Sequence, residues 1–177
     1  MRNRYRLDFF LMREFDSYRS TLKETSLDLT NNEYLCEDES LNNVFDFDAY
    51  VKAKFGNIDA LPASPDAICL GPKDLYFVEF KNQEWSRVNK PQIERKFRDG
   101  TQILKNLLST FTPRDNRYCF CVVHKRDTST RAYHRNIQAS QERYSFDALN
   151  EELGNFYDEI IVQDIDFYKQ KFSQLAC

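Results

Sequence analysis

The sequence predicts an α/β domain in which a mixed central sheet is flanked by helices. Three observations predict it. Residues 64–83 (SPDAICLGPKDLYFVEFKNQ) read as two apolar strands around a Gly-Pro turn. Residues 91–111 carry apolar side chains at helical spacing. Residues 118–123 (YCFCVV) are apolar at nearly every position, as expected of a strand covered on both faces. The resulting order of helix, hairpin, helix, strand, helix and strand is that of an α/β fold. A chain of 177 residues suits one domain. We expect that domain to span 1–177, with a core at about 45–125, an N-terminal helix at 4–24 and a C-terminal α/β extension at 145–177.

Each element has its own signal. Leu7, Leu11, Phe15, Tyr18 and Leu22 recur at helical spacing and predict the helix over 4–24. Residues 25–44 are polar and irregular, and read as a loop or small subelement. Residues 45–55 can form a short helix that stops near Gly56, with Asp46 or Asp48 as its cap. Pro91 suits the first turn of the helix over 91–111, and Pro113 ends it. On that helix Ile93, Phe97, Leu104, Leu107, Leu108 and Phe111 form the apolar stripe, and Arg95, Arg98, Gln102 and Lys105 lie roughly opposite. Residues 127–143 are polar and basic. A helix over 145–157, a strand over 159–162 and a terminal helix over 164–175 complete the chain.

Composition excludes several classes. Only 4 Gly and 5 Pro argue against collagen-like or low-complexity design. The apolar run at 9–12 is too short for a membrane span or a signal-peptide core, so a cytoplasmic protein is expected. The 5 cysteines form no CxxC pair, and their odd number predicts free, mostly buried thiols. The net charge of −3 is unevenly spread. Residues 20–84 carry 5 basic and 13 acidic groups, whereas residues 85–145 carry 13 basic and 5 acidic ones. A basic middle is a candidate footprint for a polyanion, unless folding interleaves it with the acidic segments.

The hairpin holds the chemistry. If its turn centres between Pro72 and Lys73, Leu70 faces Leu75 and Asp66 faces Glu79. Two carboxylates then sit side by side on one sheet face, with Cβ atoms roughly 5 Å apart. Lys81, two residues on, points to the same face. Two close carboxylates stay ionised only with a cation between them, and oxygen ligands of this kind suit Mg²⁺. The same groups can also be a plain salt bridge of Lys81 with one acid.

Pro65-Asp66 followed, after twelve residues, by Glu79-Phe80-Lys81 resembles the motif of the PD-(D/E)xK nuclease superfamily, which has a restriction-endonuclease-like core. The pattern is also similar to that of small uncharacterised bacterial and phage proteins bearing a PDA…EFKN motif. The resemblance implies a Mg²⁺- or Mn²⁺-dependent endo- or exodeoxyribonuclease. It implies Asp66, Glu79 and the Phe80 carbonyl as metal ligands, and Lys81 as the base that positions water. A catalytically inactive nuclease-fold interaction protein is the alternative. The family's further helix acid has two candidates, Glu14 and Glu24, each better read as solvated. Gln102, in about the place of a family glutamine, reads as a surface residue.

DNA is the expected partner, with Arg114, Arg117, Lys125, Arg126, Arg131 and Arg135 as candidate phosphate contacts or solvated charges. A protein partner or a homodimer is a further candidate, and a membrane is not. Asn82 and Gln83 are placed to touch a base or phosphate, or to form a turn. Trp85 can stack on a base or fill the core. His124 and His134 lack the neighbours a histidine–metal site needs, and Cys119 and Cys121 share a strand face in the core.

Overall fold

The computed structural model describes residues 6–40, 43–56, 59–112, 115–128, 132–173, 175 and 177, and within 132–144 the side chains of Ile137, Ser140 and Gln141 alone. In chain order the elements are α1 (Leu7–Phe15), β1 (Arg19–Ser20), α2 (Leu22–Thr25), β2 (Leu27–Asp28), β3 (Glu33–Tyr34), β4 (Val44–Asp46) and α3 (Phe47–Phe55). They continue with β5 (Ala67–Leu70), β6 (Asp74–Glu84), α4 (Lys90–Leu107), β7 (Arg117–Lys125), α5 (Ala132–Glu152), β8 (Glu159–Asp164) and α6 (Ile165–Lys171). One sheet runs β1-β4-β5-β6-β7-β8, and β2 and β3 form a separate hairpin. The sheet is mixed: β6–β7 and β7–β8 are parallel, and the other neighbours antiparallel.

The β5–β6 hairpin has the expected register, with Leu70 opposite Leu75 and Ala67 opposite Val78. Gly71 N–H donates to the Asp74 carbonyl at 2.7 Å and closes the turn. Because side chains alternate along a strand, the hairpin feeds two cores. Ile68, Leu70, Leu75 and Phe77 pack with Phe10 of α1, Phe47 of α3 and Phe97 of α4. Cys69, Tyr76, Val78 and Phe80 face the other way, toward Leu22, Tyr168 and Phe172. Strand β7 lies between β6 and β8 and is buried on both faces, as its composition predicts.

Three expectations change. The helix expected over 4–24 ends at Phe15, and Arg19–Ser20 pairs with Val44–Phe45 as an edge strand. Thr21 then starts a new helical turn by accepting from Glu24 N–H at 3.0 Å, a local cap that competes with one continuous helix. The polar stretch before 145 is helical from Ala132 onward as part of α5, and it carries no apolar stripe that would reveal it. Cys36 and Cys177 form a disulfide, contrary to the expectation of free thiols; Cys69, Cys119 and Cys121 are free and buried. The pairing joins residues 141 apart, whose proximity depends on the tertiary fold. Among the described residues no helix is long and apolar enough to cross a membrane.

Candidate active site

Strand β5 starts at Ala67, so Asp66 lies just before the regular ladder. Its backbone N–H still donates to the Val78 carbonyl at 3.0 Å, while its side chain takes over the next position. Asp66 Oδ2 accepts from the Phe80 backbone N–H at 2.7 Å. Glu79 is on the same face of β6 and is fully buried. Lys81 follows, with its ammonium 2.8 Å from Glu79 Oε1. Thus Asp66, Glu79 and Lys81 converge as the register requires.

A fourth charged group completes the cluster. Lys96 of α4 donates to Asp66 Oδ1 at 3.0 Å and to Glu79 Oε2 at 2.9 Å. Gln92, one turn earlier on α4, has its side-chain oxygen 3.4 Å from Lys81 Nζ. Gly100, one turn after Lys96, explains how the helix comes this close. A Cβ at position 100 would lie 2.6 Å from Pro65 Cδ and 3.2 Å from Phe77 Cε1. A glycine inside a helix costs about 1 kcal/mol relative to alanine, but here its missing side chain lets α4 rest directly on the strand that carries Glu79.

Burial pushes the Glu79 carboxyl up to about 7, and the nearby Asp66 charge adds to the shift; Lys96 and Lys81 oppose it. Burial opposes the charge on Lys96, yet Asp66 and Glu79 together raise that ammonium above its ordinary range. Two acids and two ammoniums therefore balance within one buried cluster. Asp46 caps α3 by accepting from Ala49 N–H at 2.7 Å. Its carboxyl is raised by burial, and also by the charges of Asp48 and Asp66. Asp48 accepts instead from Ser64 Oγ at 2.8 Å and pairs with Lys52.

The donor set fits a hard divalent cation in its chemistry: two carboxylates meet, and both present oxygen. Glu79 Oε1 is buried and receives no directed hydrogen bond, because the Lys81 contact is an ion pair with poor angular alignment. The Phe80 carbonyl shares the side of the strand from which its N–H reaches Asp66. Lys96 occupies the space between the acids, so an ion there has to displace or share with its ammonium. Among the described residues no group of three or more His, Cys, Asp or Glu side chains forms a ready metal cluster.

A cleft of about 410 Å³ opens beside Asp66, Phe80, Lys81 and Gln92. Its opposite wall is the chain from Thr25 to Thr30, at the β2–β3 hairpin. Glu33 of that hairpin pairs with Lys125 at 2.6 Å and holds the wall against the end of the sheet.

The candidate phosphate contacts are not gathered in one place. Lys125 lies at the Lys81 end of the sheet, and Arg126 follows it and pairs with Asp166 at 3.0 Å. Arg117 lies opposite Asp74 in the register, seven residues from Lys81, about 23 Å away at the usual rise of roughly 3.3 Å per residue. Its guanidinium is held by Glu159. Arg114 and Arg131 lie outside the described residues, and Arg135 and His134 are on α5, where their side chains are not described.

The remaining candidates have plain roles. Trp85 is buried and lies 5.3 Å from the His124 ring, so it packs in the core. Burial lowers the His124 pKa. Gln102 is exposed and donates to Asn106 at 3.2 Å. Glu24 accepts from Ser20 Oγ, and the Glu14 charge acts on Tyr50. Asn82 and Gln83 line the cleft.

Lys96 and Gln92 are the site residues that sequence reasoning missed. Lys96 lies beside the buried Phe97 in a basic run, where it resembles its solvated neighbours. The available signal was Gly100, a glycine one turn away in an otherwise strong helix. Comparison of the chain with family models, with curated proteins and with solved structures gives no match in any of the three.

Proposed function

We propose that the chain is a metal-dependent nuclease with a restriction-endonuclease-like core, hydrolysing DNA phosphodiester bonds with Mg²⁺ or Mn²⁺. One observation carries the reading: Asp66 and Glu79 converge on a single point while Lys81, beside them, faces a cleft. Asp66, Glu79 and the Phe80 carbonyl would hold the ion. When bound, such an ion neutralises charge at the scissile phosphate and acidifies a coordinated water.

The chain's own residues supply the rest. Lys81 stands at the cleft edge, where its ammonium can donate a hydrogen bond to the attacking water and orient it. Gln92 and Glu79 hold Lys81 in place. Lys125 and Arg126 are basic groups at this end of the sheet, and a DNA phosphate has to compete with Glu33 and Asp166 for them. A cytoplasmic location suits access to DNA.

A second reading, the catalytically inactive interaction protein, has its own observation. Lys96 and Lys81 together already balance the two acids, so the cluster is charge-balanced with no ion. Thermal unfolding separates the two readings. A ligand that binds only the native state raises the melting temperature. Mn²⁺ is expected to do so for the wild type and to fail to do so for Asp66→Ala. An equal shift in the variant places the ion elsewhere, and no shift in either favours the second reading.

A further inference from the structure

The strand that delivers Lys81 is irregular immediately after it. In the parallel ladder Lys81 lies opposite His124, and the next pair is Glu84 with Lys125. Strand β6 therefore spends two residues, Asn82 and Gln83, where β7 spends none. Such bulges bend a strand and re-aim its side chains, and they are common beside active sites. Here both extra residues line the cleft.

The other wall is equally specific in its chemistry. Thr25, Ser26 and Thr30 line it, the Thr25 and Ser26 hydroxyls donating to backbone carbonyls, and Gln92 brings a third amide. Among the described residues Lys81 is the one basic group in the lining, and Asp28 and Asp66 are acidic. That balance disfavours a run of phosphates. It favours a neutral ligand rich in donors and acceptors. Leu29, in the β2–β3 turn, is 84 % exposed and lines the cleft beside Leu27. The wall meets the end of the sheet where Glu33 pairs with Lys125 and is approached by the Asn82 amide at 3.5 Å.

We infer that this cleft is a subsite for one unpaired nucleobase adjoining the scissile phosphate, so that the substrate is single-stranded or frayed DNA. The inference rests on the nuclease reading for the position of that phosphate. The volume lies within the usual range for small-ligand pockets, about 300–1,000 Å³. The amides of Gln83 and Gln92 offer the mixed donor and acceptor groups that read a base edge, and Asn82 joins them to the opposite wall through Glu33. Leu29 offers an apolar surface against the face of the base, the role inserted apolar side chains play at unstacked steps. A base inside an intact duplex cannot reach such a recess without leaving its stack.

The test uses the full chain and a fluorescent 20-nucleotide strand, alone or as a blunt duplex of the same sequence. Binding is read by anisotropy without divalent metal, so it does not depend on cleavage. Wild type is expected to bind the single strand at least fivefold more tightly than the duplex. Leu29→Ser, at an exposed position, is expected to weaken single-strand binding at least threefold with an unchanged melting temperature. The Asn82→Ala/Gln83→Ala double variant is expected to bring the two affinities within twofold. Equal affinities in the wild type, or a preference retained by both variants, overturns the subsite. Cleavage is measured in parallel with Mn²⁺. Cleavage without strand preference removes the subsite and leaves the nuclease reading. Preference without cleavage on any DNA removes the nuclease reading and leaves a single-strand binding site.

Discussion

Lys96 reaches across from helix α4 and donates to Glu79 on strand β6 at 2.9 Å. The same ammonium serves Asp66 at 3.0 Å, so the resident lysine stands where two converging carboxylates would hold a cation. This contact decides how the site is poised. The ammonium offsets the repulsion between the acids, and an entering ion would compete with a tethered charge rather than fill an open gap.

Replacing Lys96 with Met removes the ammonium and leaves Lys81 as the remaining cation of the cluster. Breaking a buried ion pair from one side costs about 3–5 kcal/mol. Lys96 lowers the Glu79 pKa, so its loss raises that pKa further. The deficit is therefore largest at alkaline pH and shrinks as acidification neutralises Glu79. Chemical denaturation at pH 8 and pH 5 checks this. Mn²⁺ is expected to stabilise the variant more than the wild type, because its competitor is gone.

Glu79 also predicts the pH dependence of the wild type. A carboxyl raised from 4.5 to about 7 binds more protons in the folded state than in the unfolded state across that window. Its contribution to stability therefore falls as pH rises through the window. Glu79→Gln has no such titration. Stability of the wild type relative to this variant is expected to decline from about pH 4.5 to 7 and then level off. A flat difference would show that Glu79 titrates normally.

Gly100→Ala tests how α4 is seated. Alanine favours a helix by about 1 kcal/mol, but its Cβ would meet Pro65 at 2.6 Å. Overpacking of this kind costs about 1–3 kcal/mol. The variant is expected to be less stable than the wild type despite its better propensity, and to show a weaker coupling between Lys96 and Glu79 in a double-mutant cycle.

The Cys36–Cys177 bond links the segment behind the cleft wall to the chain beyond α6. Cys36 N–H donates to Ser26 Oγ at 2.9 Å, and Ser26 lines the cleft. Cross-links of long loops contribute typically about 2–4 kcal/mol. Reduction, which a cytoplasmic milieu favours, or Cys36→Ser is expected to lower stability by about that amount. Denaturation with and without dithiothreitol measures it. No difference would show that the bond adds nothing.

The hairpin, its register and the face shared by Asp66 and Glu79 were legible because turn position and strand alternation determine them locally. The two cores followed from the same alternation: Ile68 and Phe77 on one side, Cys69 and Tyr76 on the other. What was not legible depends on tertiary contact. Tyr18 and Leu22 keep helical spacing with Leu7, but an edge strand lies between them because Arg19 and Ser20 find partners in β4. Lys96 looks solvated until Gly100 brings its helix down, and Cys36 has no local mark of its partner. The basic residues after 113 read as one patch, yet the register separates Arg117 from Lys125 along a single strand.

DNA cleavage by purified protein with Mn²⁺, run beside Lys81→Ala on plasmid, linear, single-stranded and branched DNA, tests the central claim most directly. Asp66 and Glu79 are proposed to hold the ion, and Lys81 to organise the attacking water. The wild type is expected to cleave at least one substrate. Lys81→Ala is expected to lose that activity by about 100-fold or more, within the range of a general acid–base contribution, while keeping its Mn²⁺-dependent rise in melting temperature. The same background from both proteins on every substrate would contradict the account.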